Sequence, residues 1–249
     1  MLPELIKISI LGGALALERA AGWNFMLSQP LVGACLTGVL VIPGQEWELW
    51  KLRIPLAVGA LLQLLLTDRA LPAATRPRDT ATAAVVGTAV ALLGLPRLHP
   101  SLAISGGGIL WVVIGVAAGL LSAVLGGWFA RIHRTGRTTV ARADALAGAA
   151  NFAAFERLYT GGLLRAFLVG AAWAWGGTIL FLWAALAYLP LFSSVLTARR
   201  SGVVFATLLG AAAVAAFCTL VRRRSHGMRW AALGALVTGL VLQGLGGPG

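Results

Sequence analysis

The chain has 249 residues, 59% of them hydrophobic and only 11% charged, with a net charge of +12. An ordinary soluble domain carries about a quarter charged residues, so this composition points to lipid as the solvent and leaves no segment long enough for a separate soluble domain. The positive charge does not indicate nucleic-acid binding: Arg131, Arg134, Arg137 and Arg142 form one group and Arg222, Arg223, Arg224 and Arg229 another, with no aromatic stacking platforms between them.

The apolar runs are 5–17, 27–43, 54–67, 80–95, 102–130, 163–189, 201–221 and 230–245. They are continuous and rich in Ala, Leu and Gly, where a membrane barrel would alternate apolar and polar residues. Backbone polar groups in hydrocarbon must be bonded internally, so these runs predict helices. The expected fold is all-α: one polytopic membrane domain over residues 1–249, with about eight hydrophobic segments. Many transport folds contain inverted repeats. The fold class is left open to them, although none is visible by inspection.

Run 5–17 is read as a first membrane helix and not a signal peptide, because Glu4 precedes it and Glu18-Arg19 follow without a clear cleavage site. The adjacent charges of Glu18 and Arg19 are expected at an interface. Asn24 and Gln29 bracket the next turn, where Asn24 is a candidate to line a polar pathway. Cys35 and Cys218 lie in apolar runs and read as small buried thiols. Trp47 and Trp50 suit interfacial anchors.

Run 54–67 is short for a span and reads as a re-entrant or tilted arm, joined to a charged corner over 68–79. Non-helical backbone at membrane depth survives only against protein or a wet cavity. Gln63 in the arm therefore faces protein or such a cavity, and its amide suits either an interhelical bond or the hydroxyls of a polar ligand. Asp79 precedes run 80–95 and is placed to cap its helix; it can also serve as a ligand, with Thr75 and Thr80 beside it. Arg76 and Arg78 in the corner read first as topology signals.

Run 102–130 contains Gly115 and Gly119 at the spacing that lets helices approach closely. The four arginines of 131–142 place that loop in the cytoplasm, which puts 69–79 and 222–229 on the same side. Arg199 and Arg200 then fall near the outer face, so they snorkel or 188–200 re-enters. Residues 143–158 are Ala-rich and mildly amphipathic, and predict a cytoplasmic or interfacial helix within the 131–160 connection. His99, His133 and His226 are isolated, and no nucleophile, phosphate-loop or metal-ligand spacing occurs. The expectation is a chain with no catalytic residues, metal or cofactor of its own.

Four stretches carry a family resemblance: NFMLSQPLVGACLTGVL (24–40), VGALLQLLL (58–66), AATRPRDTATAAVVGTAVAL (73–92) and RADALAGAANFAAFERLY (142–159). In this order they resemble the IIC (permease) subunit of the bacterial phosphoenolpyruvate-dependent sugar phosphotransferase system, mannose/fructose/sorbose branch. The matches cover most of residues 8–160, and beyond them only hydropathy agrees. The chain departs from the family pattern at Gln29, at Arg78 and in the charged stretch 43–53.

The resemblance implies a multi-pass protein of the bacterial inner membrane that binds a hexose-type sugar. Its implied partners are a IID membrane subunit and the IIA and IIB phosphocarriers, within an oligomer. Gln63, Asp79, Thr75 and Asn24 are then the sugar-binding candidates. Arg76, Arg78, Arg134 and Arg137 are the candidates to meet phosphorylated IIB. The alternative is a diverged, non-transporting IIC-like anchor or regulatory subunit for phosphocarrier proteins.

Overall fold

A computed structural model describes residues 1–21, 29–42, 49–66, 79–95, 107–133 and 144–195, with single positions at 207 and 210. The described residues are helical and contain no strand. Six helices follow in chain order: α1 (Leu2–Ala21), α2 (Pro30–Val41), α3 (Leu49–Leu66), α4 (Thr80–Gly94), α5 (Gly107–His133) and α6 (Phe152–Val195). Two stretches are long and apolar enough to cross a membrane, Gly108–Trp128 in α5 and Phe152–Tyr188 in α6. Eight spans were expected, and the described residues support these two. Runs 201–221 and 230–245 lie outside the described residues, as do Asn24, Thr75, Arg76, Arg78, Arg134 and Arg137.

Close contacts fix the packing. The Lys7 Nζ donates to the Leu40 carbonyl at 3.2 Å, and Leu15 lies against Gly33, so α1 and α2 run antiparallel. Pro55 sits on Gly38, and Gly59 lies against Leu31 and Ala34, so α3 runs back along α2. Gly115 meets Gly87, and Gly119 meets the Ala83 carbonyl, so α5 opposes α4. Gly12 and Gly13 pack on Ala174 and Phe167 of α6. The helices therefore alternate in direction. The C-terminal ends of α1, α3 and α5 and the N-terminal ends of α2, α4 and α6 meet at one end of the bundle.

The central element is α4, whose residues Ala81–Leu92 are all buried. A helix buried all round belongs at the middle of a bundle. Its sequence TATAAVVGTAVALLG is built of small and β-branched residues, which let neighbouring backbones approach. In lipid such packing rests on van der Waals contact, each atom pair contributing only about 0.1–0.2 kcal/mol.

Two local details differ from the sequence reading. Helix α3 starts at Leu49, five residues before the expected arm, and carries Pro55 in its interior. The helix expected over 143–158 is two pieces. Residues 144–148 form a short helical segment that ends where Ala150 adopts φ 51°. The Ala150 and Asn151 N–H groups return to the carbonyls of Ala147 and Leu146, the paired bonds of a Schellman stop. Asn151 then caps α6, its Oδ1 accepting the Ala154 N–H at 3.2 Å.

Candidate functional site

Helix α2 begins with a deficit of caps. Gln29 makes no side-chain capping bond, and Pro30 has no N–H to offer. The first free donor is the Leu31 N–H, and Gln63 Oε1 of α3 accepts it at 3.3 Å. Gln63 thus caps a neighbouring helix, the interhelical bond that the sequence left equal with a ligand role. Its half-buried side chain stands at the end where α2 and α4 begin.

Asp79 starts α4 as its N-cap, with Oδ1 accepting the Thr82 N–H at 3.2 Å. Its own backbone N–H points to the Ala123 carbonyl of α5 at 3.4 Å. The residue is half-buried, held between two helices. A methyl group at Gly126 would lie 3.4 Å from Asp79 Cβ and 2.7 Å from Trp173 Nε1. Gly126 therefore lies where the Asp79 Cβ of α4 and the Trp173 indole of α6 come close. Trp173 Nε1 donates to Ser122 Oγ at 3.0 Å, tying α6 to α5 beside the same spot. The Thr82 hydroxyl, fully buried in the first turn of α4, has no hydrogen-bond partner.

Glu18 lies at this end too, one turn after Leu15, which packs on Gly33 at the start of α2. It was expected at an interface. It is 3% exposed, enclosed by the bundle near the end of α1.

The structure thus brings Gln63 and Asp79 to one end and adds Glu18, Ser122, Thr82 and Trp173, which the sequence reading did not place there. Ser122 and Trp173 sit inside apolar runs, and their pairing across 51 positions has no local signature. A lone hydroxyl within an apolar run was the available signal for Ser122.

A cavity of about 300 Å³ lies elsewhere, on the outward face between α1 and α6, lined by Ile6, Ser9, Ile10, Ala172 and Trp175. The Ser9 hydroxyl in it already donates to the Ala171 carbonyl at 3.1 Å. Its lining is otherwise apolar, and it holds none of the predicted site residues.

No family model, curated protein or solved structure matches the chain. The chemistry is therefore read from the residues themselves. Two carboxylates, an amide, two buried hydroxyls and an indole at this end of the bundle supply hydrogen-bond acceptors and donors, of which Gln63 and Asp79 already cap helices and Trp173 bonds Ser122.

Proposed function

We propose that this chain is the sugar-translocating IIC subunit of a bacterial phosphotransferase system of the mannose/fructose/sorbose branch, a multi-pass protein of the inner membrane. One observation supports the reading: Glu18, Gln63, Asp79, Thr82, Ser122 and Trp173, from α1, α3, α4, α5 and α6, lie toward one end of a largely apolar bundle. That is the end joined by 67–78 and 134–143, which carry Arg69, Arg76, Arg78, Arg134, Arg137 and Arg142. Helices α2, α3 and α4, at 12, 18 and 15 residues, reach about 18–27 Å. This falls short of a roughly 30 Å core and supports re-entrant segments around a site at membrane depth.

In this reading a hexose-type sugar bonds Asp79 and Gln63 and passes to phosphorylated IIB. The chain itself holds no phosphoryl-carrying residue; those belong to the IIA and IIB partners, and IID completes the membrane complex. Alternating access would follow from movement of the α3–α4 hairpin against the longer helices.

The test is uptake of labelled hexoses into vesicles holding this chain and IID, with and without phosphorylated IIB. Uptake that requires phosphorylated IIB and fails in Gln63→Leu, with the complex still assembled, is the expected result. Unchanged uptake in that variant removes Gln63 from the site. Assembly with phosphocarriers and no uptake of any hexose replaces the proposal with the non-transporting anchor.

A further inference from the structure

Just before α6 the chain stops a helix and at once starts another. Residues 144–148 are helical, Ala150 is left-handed at φ 51°, and α6 begins at Phe152. Local propensity asks for something else. Six of the eleven residues 144–154 are alanine, the best helix former, and Leu146 ranks close behind. A left-handed alanine carries a steric cost that disfavours it about 5- to 30-fold in population.

Packing does not impose the break. Residues 144–155 are exposed, apart from half-buried Leu146 and Ala154. A methyl group at Gly148 would meet no atom within 4 Å. The bonds that hold the break are local. The Ala150 N–H donates to the Ala147 carbonyl at 3.1 Å and the Asn151 N–H to the Leu146 carbonyl at 3.0 Å. Asn151 Oδ1 accepts the Ala154 N–H at 3.2 Å, a cap worth about fivefold in population.

A continuous helix would exchange these bonds for others. The Ala150 and Asn151 N–H groups would pass to the carbonyls of Leu146 and Ala147, and the Ala154 N–H to the Ala150 carbonyl. Phe155 would keep the Asn151 carbonyl that it already holds at 3.1 Å. The Phe152 and Ala153 N–H groups open α6, where a helix start offers them no acceptor; they would gain the carbonyls of Gly148 and Ala149. The left-handed alanine and these two missing bonds oppose the cap and the Schellman pair. The opposing terms are of similar size.

We infer that residues 144–155 form a two-state joint, broken or continuous with α6, and that both forms are populated. In the continuous form Asp144 stands about 12 Å beyond Phe152 along the α6 axis. The joint thus moves the point at which the connection from α5 enters α6. A partner that binds one form better shifts the balance by that difference in affinity. The inference depends neither on sugar binding nor on membrane placement.

Spin labels at Ala145→Cys and Arg165→Cys, in the full chain in nanodiscs with Cys35→Ala and Cys218→Ala, read the two forms by pulsed electron resonance. The continuous form sets the labelled backbones about 30 Å apart, and this distance is expected beside a second one. Asn151→Ala removes the cap and supplies a better helix former, so it raises the continuous-to-broken ratio by about tenfold. Ala150→Gly relieves the left-handed cost and weakens the helix, so it lowers that ratio by about twentyfold or more. Amide exchange at Phe152 and Ala153 is the second readout: slower in Asn151→Ala and faster in Ala150→Gly. The inference stands on opposite responses to the two substitutions. A single distance that neither changes, or a shift in the same direction from both, overturns it.

Discussion

The backbone contact between α4 and α5 makes a sharp prediction at Gly115. A methyl group there would lie 2.6 Å from the Gly87 carbonyl oxygen and 2.9 Å from Ala91 Cβ. Carbon–oxygen contacts settle near about 3.3 Å and carbon–carbon contacts near about 3.5–4.0 Å, so the helices must part by roughly 0.7 Å. The obstruction is main chain and cannot swing aside. A gap of that size forfeits about a quarter to a half of each contact it opens. The loss falls on α4, whose Val85, Val86 and Val90 are fully buried. Overpacking costs about 1–3 kcal/mol, and an obstruction made of backbone puts Gly115→Ala in the upper half of that range, less up to about 1 kcal/mol gained in helix propensity. The net is a destabilisation of about 1–2 kcal/mol, or a melting point lowered by about 2–8 °C. Gly162→Ala is the control: nothing lies within 4 Å, so it keeps only the propensity gain and raises the melting point. Thermal unfolding in detergent, followed by tryptophan fluorescence, reads both. Equal stabilisation by the two substitutions would refute the backbone contact.

Other expected outcomes follow from single positions. The Thr88 hydroxyl is fully buried and unbonded in α4, so Thr88→Val should raise stability by about 1 kcal/mol in the same unfolding assay. Ala150 holds a left-handed conformation at φ 51°, and Ala150→Gly should relieve about 1 kcal/mol of local cost, read as slower amide exchange at Ala150 and Asn151. Gln63→Leu removes the acceptor for the Leu31 N–H and should speed amide exchange in the first turn of α2 while leaving α4 protected.

The helix positions were legible where an apolar run ended in a residue with its own backbone chemistry. Asp79 announced the start of α4. The start of α3 was not legible, because Lys51 and Arg53 read as a surface stretch, although long straight side chains are good helix formers. Pro55 lies inside the helix, and its ring packs against Gly38 of α2. The break at 149–151 was hidden for a different reason. The left-handed residue is an alanine within an alanine-rich stretch, where a glycine or asparagine would have signalled the stop. Gly115 and Gly119 were visible as a spacing, but in a chain with 32 glycines only the facing Gly87 distinguishes contact from chance. The polar end of the bundle was half legible. Gln63 and Asp79 stood out as polar residues at run ends, whereas Ser122 and Trp173 become a pair only when α5 and α6 are side by side.

Asp79 has two possible duties, and its side-chain chemistry separates them. As an N-cap it needs one oxygen to accept the Thr82 N–H, and asparagine caps as well as aspartate does. As a sugar ligand it needs the acceptor-only carboxylate, whose second oxygen has no equivalent in an amide. Asp79→Asn should therefore keep the unfolding temperature and lose sugar binding by about tenfold or more, since a charged hydrogen bond is worth about 1.5–3 kcal/mol. Asp79→Ala should lose both, with about 1 kcal/mol of stability going with the cap. Isothermal titration of the membrane-embedded chain with hexoses, beside thermal unfolding, reads the two duties independently. If Asp79→Asn binds sugar as the wild type does, the carboxylate is a structural cap, and the site must be sought at Glu18 of α1.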